Sequence, residues 1–418
     1  MSNSVSLSEL FRVFGRIGVT SFGGPAAQIA LMHKELVDDR PWLSEKQFLS
    51  ALSFCMLLPG PEAMQLATYS GWKLRGTLGG LIAGLLFVLP GALVIMALAL
   101  GYAYWGDVPA VQSVFLGIKA TVIVIVLQAL AKVAGKALKG TDAYVIAALS
   151  FLAIFMFDLP FPLIILIAAL WGFRRADTTA REGIAKPNGV GTLSVALVWL
   201  AVWALPFPIL WLTNADLLLQ LAEFFSVLAV VTFGGAYAVL AYMTQAVAGD
   251  FGWLTTAEMI DALGLAETTP GPLILVTEFV GILTGFKAGG PWLAIAAGVV
   301  TLWVTFAPCF LWIFVGAPYL TWLSDHPRIS AALSSISAAV VGVILNLSVW
   351  FSLNVFFQVV SDRNFGPFAL PIPEVTSLNL TALLLCLVSA ALLIGLKRSM
   401  LQTLFAMGTL GYLISLIG

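Results

Sequence analysis

Three carboxylates, one lysine and a set of hydroxyls stand inside apolar runs of this chain, where ionisable groups are rare. Glu62 follows directly on Pro59-Gly60-Pro61, Glu267 stands three residues before Pro270-Gly271-Pro272, and Glu278 lies further along the same run. A carboxylate in apolar surroundings is costly when ionised, and at membrane depth it marks a pathway, a proton relay or an ion pair. At a helix start the dipole also favours it, which is the plain capping explanation. Glu62, Glu267 and Glu278 are therefore the candidates for proton coupling. Lys119 is the best-placed isolated cation and reads as an anion ligand or gate, with snorkelling to an interface as the structural alternative. Arg12 and Arg16 share a helix face by their four-residue spacing, which suits an anion vestibule or plain interfacial anchoring.

The backbone around these groups is interrupted by glycine and proline. Ser21-Phe22-Gly23-Gly24 and Pro59-Gly60-Pro61 break the first half, and Thr232-Phe233-Gly234-Gly235 and Thr269-Pro270-Gly271-Pro272 break the second. The two sets are related by one offset of 211 residues, which Trp42-Leu43 and Trp253-Leu254 also keep. The chain is thus read as an internal duplication. A helix start exposes free N–H groups and the positive end of the helix dipole. Glycine lets a ligand approach the backbone, and proline fixes the first turn. An anion fits such a place without a cationic cage. Ser21, Thr232, Thr268 and Thr269 add hydroxyls, with Thr20 beside Ser21, and Gln65 adds an amide one turn after Pro61. The expected ligand is an oxyanion; the structural alternative is that Gly-Pro pairs merely permit kinks and close packing.

The elements that must position these residues are membrane helices. Of 418 residues, 60% are hydrophobic and only 10% charged, against about 25% charged in a soluble domain. The mean hydropathy is +1.02, and apolar runs long enough to span a bilayer recur throughout. The expected fold is an all-α polytopic membrane protein of about 11–13 segments, with the Gly-Gly-Pro segments spanning or re-entering. The short alternating segments of a β-barrel are absent. A net charge of -1 singles out no nucleic acid. Cys55, Cys309 and Cys386 lie in apolar runs without CxxC spacing and read as packing residues. Pro90 falls within the span from Leu78 to Tyr104 and is expected to kink it. Beyond a short insertion near Lys287 the offset is expected to reach 218, pairing Pro90 with Pro308 and Pro109 with Pro327.

Residues 1–175 form the first copy, 176–215 a cytoplasmic linker plus one extra span from Leu193 to Leu212, and 216–418 the second copy. Lys73/Arg75, Lys132/Lys136/Lys139 and Arg174/Arg175/Arg181/Lys186 fall at alternate turns, which the positive-inside rule places in the cytoplasm. In the second copy the bias reverses, with Lys397/Arg398 in the turn equivalent to the cation-free Asp158 turn. One additional span between two equal copies produces that inversion, so an inverted repeat of the secondary-transporter kind is expected.

Phe22-Gly23-Gly24-Pro25, the run Leu58-Pro59-Gly60-Pro61-Glu62-Ala63-Met64-Gln65-Leu66-Ala67-Thr68 and Leu89-Pro90-Gly91 resemble the N-terminal half of the chromate ion transporter family. Phe233-Gly234-Gly235-Ala236-Tyr237 and Ala266-Glu267-Thr268-Thr269-Pro270-Gly271-Pro272 resemble its C-terminal half. The resemblance covers nearly the whole chain, as in long two-domain members. It implies a multi-pass protein of the bacterial inner membrane that exports chromate, driven by the proton gradient as an antiporter, with sulfate the natural competitor. The residues themselves specify only an anion. A homodimer is compatible with this architecture, though no sequence marker calls for one.

Competing chemistries find little support. HExxH, GxGD and GxSG patterns are absent, and His33-Lys34-Glu35 lacks a second metal ligand at helical spacing. Neither an enzyme nor a cofactor is expected. With no GxxxxGK[ST] motif, transport is secondary or passive. A different oxyanion, import, and an anion channel remain open.

Overall fold

A computed structural model describes residues 5–176, 192–233, 236–320, 326–365 and 368–416. Among the described residues helices dominate, and five segments are long and apolar enough to cross a membrane: Glu62–Trp105, Pro109–Ala137, Thr192–Leu212, Leu273–Tyr319 and Pro327–Phe356. The chain is an all-α polytopic membrane protein, as its hydropathy requires. It forms two compact units, and each draws on both halves of the sequence. Gly234, Gly235 and most of the expected linker, including Arg181 and Lys186, lie outside the described residues.

The first unit comprises Met1–Leu100, Asp177–Ala236 and Thr269–Ser330. It contains α1 (Leu7–Thr20), α2 (Gly24–His33), α3 (Glu45–Cys55), most of α4 (Glu62–Trp105), α8 (Thr192–Ala204), α9 (Pro206–Leu212), α10 (Asp216–Val231) and α13 (Val276–Gly316). Ser6 caps α1 by accepting the Glu9 amide, and a Ser44/Gln47 capping box starts α3. α4 is two antiparallel limbs joined by a non-helical bend at Arg75 (φ -142°, ψ 26°) and Gly76 (φ 63°, ψ -156°). α13 bends in the same way at Gly289 (φ -161°, ψ 21°) and Gly290 (φ 78°, ψ -165°). The limbs of α4 pack so closely that a Cβ on Gly71 would overlap the carbonyl oxygen of Gly79.

These bends place the sharp turn of each pair of limbs, and they correct one expectation, the way the offset between copies grows. The backbone of α4 stays helical through Pro90, and its sharp turn is at Arg75-Gly76. The offset between copies grows in two steps, neither of them near Lys287. A single 3₁₀ turn, Leu273–Leu275, precedes α13, so the starts Glu62 and Val276 and the bends Gly76 and Gly290 are 214 residues apart. The remaining four residues, close to one helical turn, enter later and leave Pro90 and Pro308 at 218. Pro109 and Pro327 each open a helix at that offset, where proline's missing N–H costs nothing.

The second unit comprises Gly101–Ala176, Tyr237–Thr268 and Ala331–Gly418. It is built around α5 (Pro109–Ala137), with α6 (Thr141–Phe157), α7 (Phe161–Arg175), α11 (Ala236–Gln245), α12 (Thr256–Thr268), α14 (Pro327–Phe356), α15 (Leu380–Ala390) and α16 (Met400–Ser415). α12, α15 and α16 pack on α5, where Ala120, Leu385 and Met407 form a buried cluster. α6 and α7 form a hairpin, turned by Asp158 in the left-handed region (φ 52°). A β-hairpin absent from the sequence expectations joins α14 to α15: β1 (Val360–Phe365) pairs antiparallel with β2 (Phe368–Pro373), Val360 opposite Pro373.

In the expected extra span, Trp199 of α8 stacks on Phe310 of α13 at 5.4 Å, and Trp303 donates to the Val202 carbonyl. None of the α8 residues is buried, so it lies on the outside of the first unit, packed on α13.

Two outcomes check this packing. Gly71→Leu should cost about 1–3 kcal/mol through overpacking of the α4 limbs, seen as a lower thermal midpoint in detergent; an unchanged midpoint contradicts the packing. In the polar segment after α2, His33 Nε2 lies 2.6 Å from Glu45 Oε2 and Nδ1 lies 3.3 Å from Asp38 Oδ2. The Glu45 hydrogen bond, aided by both negative charges, raises the imidazole pKa above its usual 6.5. A raised folded pKa gives stability that is complete below the usual value and is lost as pH rises through the folded one. His33→Gln should therefore lower the midpoint at about pH 5.5 and leave it nearly unchanged at about pH 8.5.

Candidate anion site

The four breaks meet inside the first unit through two crossed backbone hydrogen bonds. The Gly60 amide donates to the Thr232 carbonyl at 2.7 Å, and the Gly271 amide donates to the Ser21 carbonyl at 2.8 Å. Each proline-flanked break of one copy thus binds the helix end of the other. The acceptors match in detail. Ser21 (φ -78°, ψ 67°) and Thr232 (φ -74°, ψ 80°) end α1 and α10 in the same conformation. Their hydroxyls donate back to the carbonyls of Ile17 at 2.6 Å and Leu228 at 2.5 Å. Gly60 (φ 114°) and Gly271 (φ 91°) lie where a side chain is strained.

The second limbs of α4 and α13 close on the same place. A Cβ on Gly91, next to Pro90, would overlap the Pro270 carbonyl oxygen. A Cβ on Gly60 would lie 3.0 Å from Cys309 Sγ, next to Pro308. Pro90 has no N–H, so the Leu86 carbonyl lacks an intrahelical donor; Gly18 of α1 packs against that oxygen. Each proline therefore rests at the opposite copy's break.

Two glutamines hold the carbonyls that the breaks release. Gln65 Nε2 donates to the Pro59 carbonyl at 2.6 Å, and Gln28 Nε2 donates to those of Gly271 at 2.6 Å and Ser21 at 3.3 Å. Gln65 was expected as an amide donor to the ligand, and Gln28 was not among the expected residues. Yet Gln28 follows Gly23 by the same five residues that separate Gln65 from Gly60.

This geometry decides which groups can meet an anion. The amides of Gly60 and Gly271 are already donated, and so are the hydroxyls of Thr20, Ser21, Thr232 and Thr268, each to a carbonyl of its own helix. Gly23 (φ 90°) and Gly24 (φ 76°) turn the chain into α2, with Pro25 in its first turn. Pro61 leads into α4, whose first residue is Glu62. The donors left over are first-turn amides without an intrahelical acceptor, such as Gly24 and Ala26 of α2 and Ala63 and Met64 of α4. Thr269 is buried beside Pro270, and Pro272 leads into the 3₁₀ turn at Leu273–Leu275.

The other candidates lie in varied surroundings. Arg12 and Arg16 are exposed on α1, opposite its buried face; Arg16 is 3.5 Å from the buried Glu35, which Arg40 also holds at 2.5 Å. Glu278 is fully buried, and neither carboxyl oxygen has a partner among the described residues. In the second unit, Glu267 accepts a hydrogen bond from Tyr237 Oη at 2.9 Å. Lys119 Nζ is 2.9 Å from Asp261 Oδ1, and Tyr102 Oη donates to Asp261 Oδ2 at 2.7 Å. Asp261 and Tyr102 were not singled out in the sequence, and Tyr237 stood out only as part of the motif Phe233-Gly234-Gly235-Ala236-Tyr237. The second unit also contains a polar cavity of about 540 Å³ that includes Asp158, Thr244, Gln245, Asn346 and Asn354. Among the described residues, no group of His, Cys, Asp and Glu is arranged to hold a metal.

Comparison with known proteins gives a consistent result. The family model described as "Chromate transporter" matches residues 8–173 and 219–412. The chain is 32% identical to a chromate transport protein of Pseudomonas aeruginosa, over 81% of this chain and 80% of that one. It is 30% identical to the chromate transport protein of Cupriavidus metallidurans, over 81% of each. A Bacillus subtilis protein named uncharacterized transporter YwrA is 31% identical, and 39% of this chain spans 93% of its length. No solved structure matches.

Gln28→Leu should leave the buried carbonyls of Ser21 and Gly271 without that donor and destabilise the chain by about 1–3 kcal/mol. A thermal midpoint equal to that of the parent chain contradicts this role.

Proposed function

Because this chain belongs to the chromate transporter family, whose model spans both of its halves, we propose that it exports chromate across a bacterial inner membrane by proton-coupled secondary transport. The observation that carries this reading is the convergence of four helix breaks on two crossed backbone hydrogen bonds. Such a junction, buried in an apolar protein, presents uncommitted amides and positive helix-dipole ends together. A tetrahedral dianion accepts from several such donors without needing a counter-charge at each.

In this reading, chromate enters from the cytoplasmic side, where Lys73, Arg75 and the basic turns gather anions, and is held by the first-turn amides of α2 and α4. The duplicated copies act as an inverted repeat that exposes the site alternately to the two sides. The matching bends at Gly76 and Gly290 and the reversed distribution of Lys and Arg support that arrangement. Glu62, Glu267 and Glu278 are carboxyls within the apolar runs that are available to carry protons. A carboxylate near a dianion repels it unless protonated, so proton binding favours oxyanion binding.

The test is flux of radiolabelled chromate into proteoliposomes under an imposed pH gradient, with sulfate as competitor. Gradient-dependent flux that is lost in Gly60→Leu/Gly271→Leu, with the variant still folded, is the expected result. Strong inhibition by sulfate would mean recognition of tetrahedral dianions in general. Flux indifferent to the gradient would indicate a channel, and absence of chromate flux from folded protein would remove chromate as the substrate.

A further inference from the structure

Four carboxylates are buried among the described residues, and their surroundings differ in ways that sort them by what they can do. Glu35 is held by Arg40 and Arg16, whose guanidinium groups do not deprotonate, so that cluster is a fixed tie. Glu278 has no partner among the described residues, and Glu267 has a hydrogen bond from Tyr237. Asp261 has a cation that can leave. It is fully buried, while the side chain of Lys119 keeps 14% exposure. The lysine ammonium has three donors on a flexible stem, so it has donors beyond the one that faces Asp261 Oδ1.

The three groups come from three elements of the second unit: Tyr102 near the end of α4, Lys119 on α5 and Asp261 on α12. α12 packs on α5 and runs directly into the break at Thr269-Pro270. Other charged groups around the cluster are Glu258, one turn earlier on α12, and Asp107, in the turn after α4; Asp250, in the turn packed on α12, acts on Tyr242. These are all acidic, so Lys119 is the positive charge of the cluster. At the corresponding offsets the chain has Ser50 for Asp261 and Ser337 for Lys119. The duplication therefore supplies this pair once, with the lysine from one copy and the aspartate from the other.

We propose that Asp261 is a built-in stand-in for the oxyanion on Lys119, and that it takes up a proton when the oxyanion displaces it. This rests on the oxyanion-transport reading above and adds to it the site where proton and anion are linked. With Lys119 drawn away, an ionised Asp261 would be buried with Tyr102 as its remaining donor, and a buried charge that loses its counter-ion is strongly disfavoured. A proton from solvent adds to Oδ1 of the carboxylate and the ammonium keeps its own, so the dianion binds together with one proton. When the anion leaves, Asp261 gives the proton back and re-forms the pair. A dianion accompanied by one proton carries a single net negative charge, which an inside-negative potential still drives outward although the proton moves against its own gradient. Coupling at this site is therefore joint binding of proton and oxyanion, and differs from an exchange in which they compete.

The test is binding of radiolabelled chromate to the purified full chain at about pH 6 and about pH 8. Each variant is compared with the parent at the same pH, so that protonation of chromate itself cancels. Asp261→Asn removes the competitor and should bind about tenfold more tightly than the parent at the higher pH, with a smaller advantage at the lower. Lys119→Met should weaken binding at both. If the pair is only a structural tie, Lys119→Met/Asp261→Asn, with no charge left to compensate, would regain parental affinity and pH dependence, and the proposal fails. Proton uptake by the unmodified chain is an independent measurement that needs no variant to fold. Chromate added in weak buffer at about pH 8.5, where it is fully dianionic, should draw about one proton per bound anion. Binding without proton uptake overturns the proposal and leaves chromate transport intact. Absence of chromate binding by the folded parent chain overturns the transport reading itself, and this inference with it.

Discussion

Two backbone hydrogen bonds, from Gly60 to Thr232 and from Gly271 to Ser21, are the constraint on which the first unit depends. A helix broken in an apolar interior leaves amides and carbonyls that water cannot reach, and each costs free energy unless paired. Here the breaks solve that problem for one another. The proline-flanked turn of each copy donates to the helix end of the other, and Gln28 and Gln65 hold further carbonyls. Glycine is required at the donors because their backbones lie at positive φ and Cys309 or the second limb of α4 lies close by. The prolines of those limbs belong to the same arrangement, since Pro90-Gly91 and Pro308-Cys309 rest against the opposite break.

The pairing of backbones is symmetric, but the chemistry around it is not. At the offsets that relate the copies, Glu267 corresponds to Met56 and Glu278 to Met64. Those two carboxyls, and Asp261, occur in the second copy alone, while Lys119 comes from the first. A duplicated backbone thus carries a single set of ionisable groups.

Much of this was legible in the sequence, and what was not has physical causes. The breaks are visible because glycine and proline are needed wherever a chain turns inside an apolar environment, and their common offset of 211 exposes the duplication. The crossing is not visible, because a backbone amide's acceptor leaves no mark on residue identity. Hydroxyls near the breaks looked available for a ligand, but Ser21 and Thr232 are committed to their own helices, a local option open to any Ser or Thr in a helix. The start of α13 shows why an offset alone misleads: the three-residue turn at Leu273–Leu275 and four residues that enter later split the insertion that the sequence suggested as one. Lys119 was legible as an isolated cation. Its partner was not, because Asp261 lies 142 positions away in a segment of mixed polarity.

The most direct test of the account is to locate the chromium. Crystals grown with chromate, measured at the chromium absorption edge, would give an anomalous peak at each bound anion without reference to any assumed chemistry. The account predicts a peak at the junction of the breaks, within about 5 Å of the first-turn nitrogens of α2 and α4, the chromium lying one oxygen beyond each N–H···O contact. A chromate-loaded crystal whose peaks all lie elsewhere, for instance in the polar cavity beside Asp158, would contradict it.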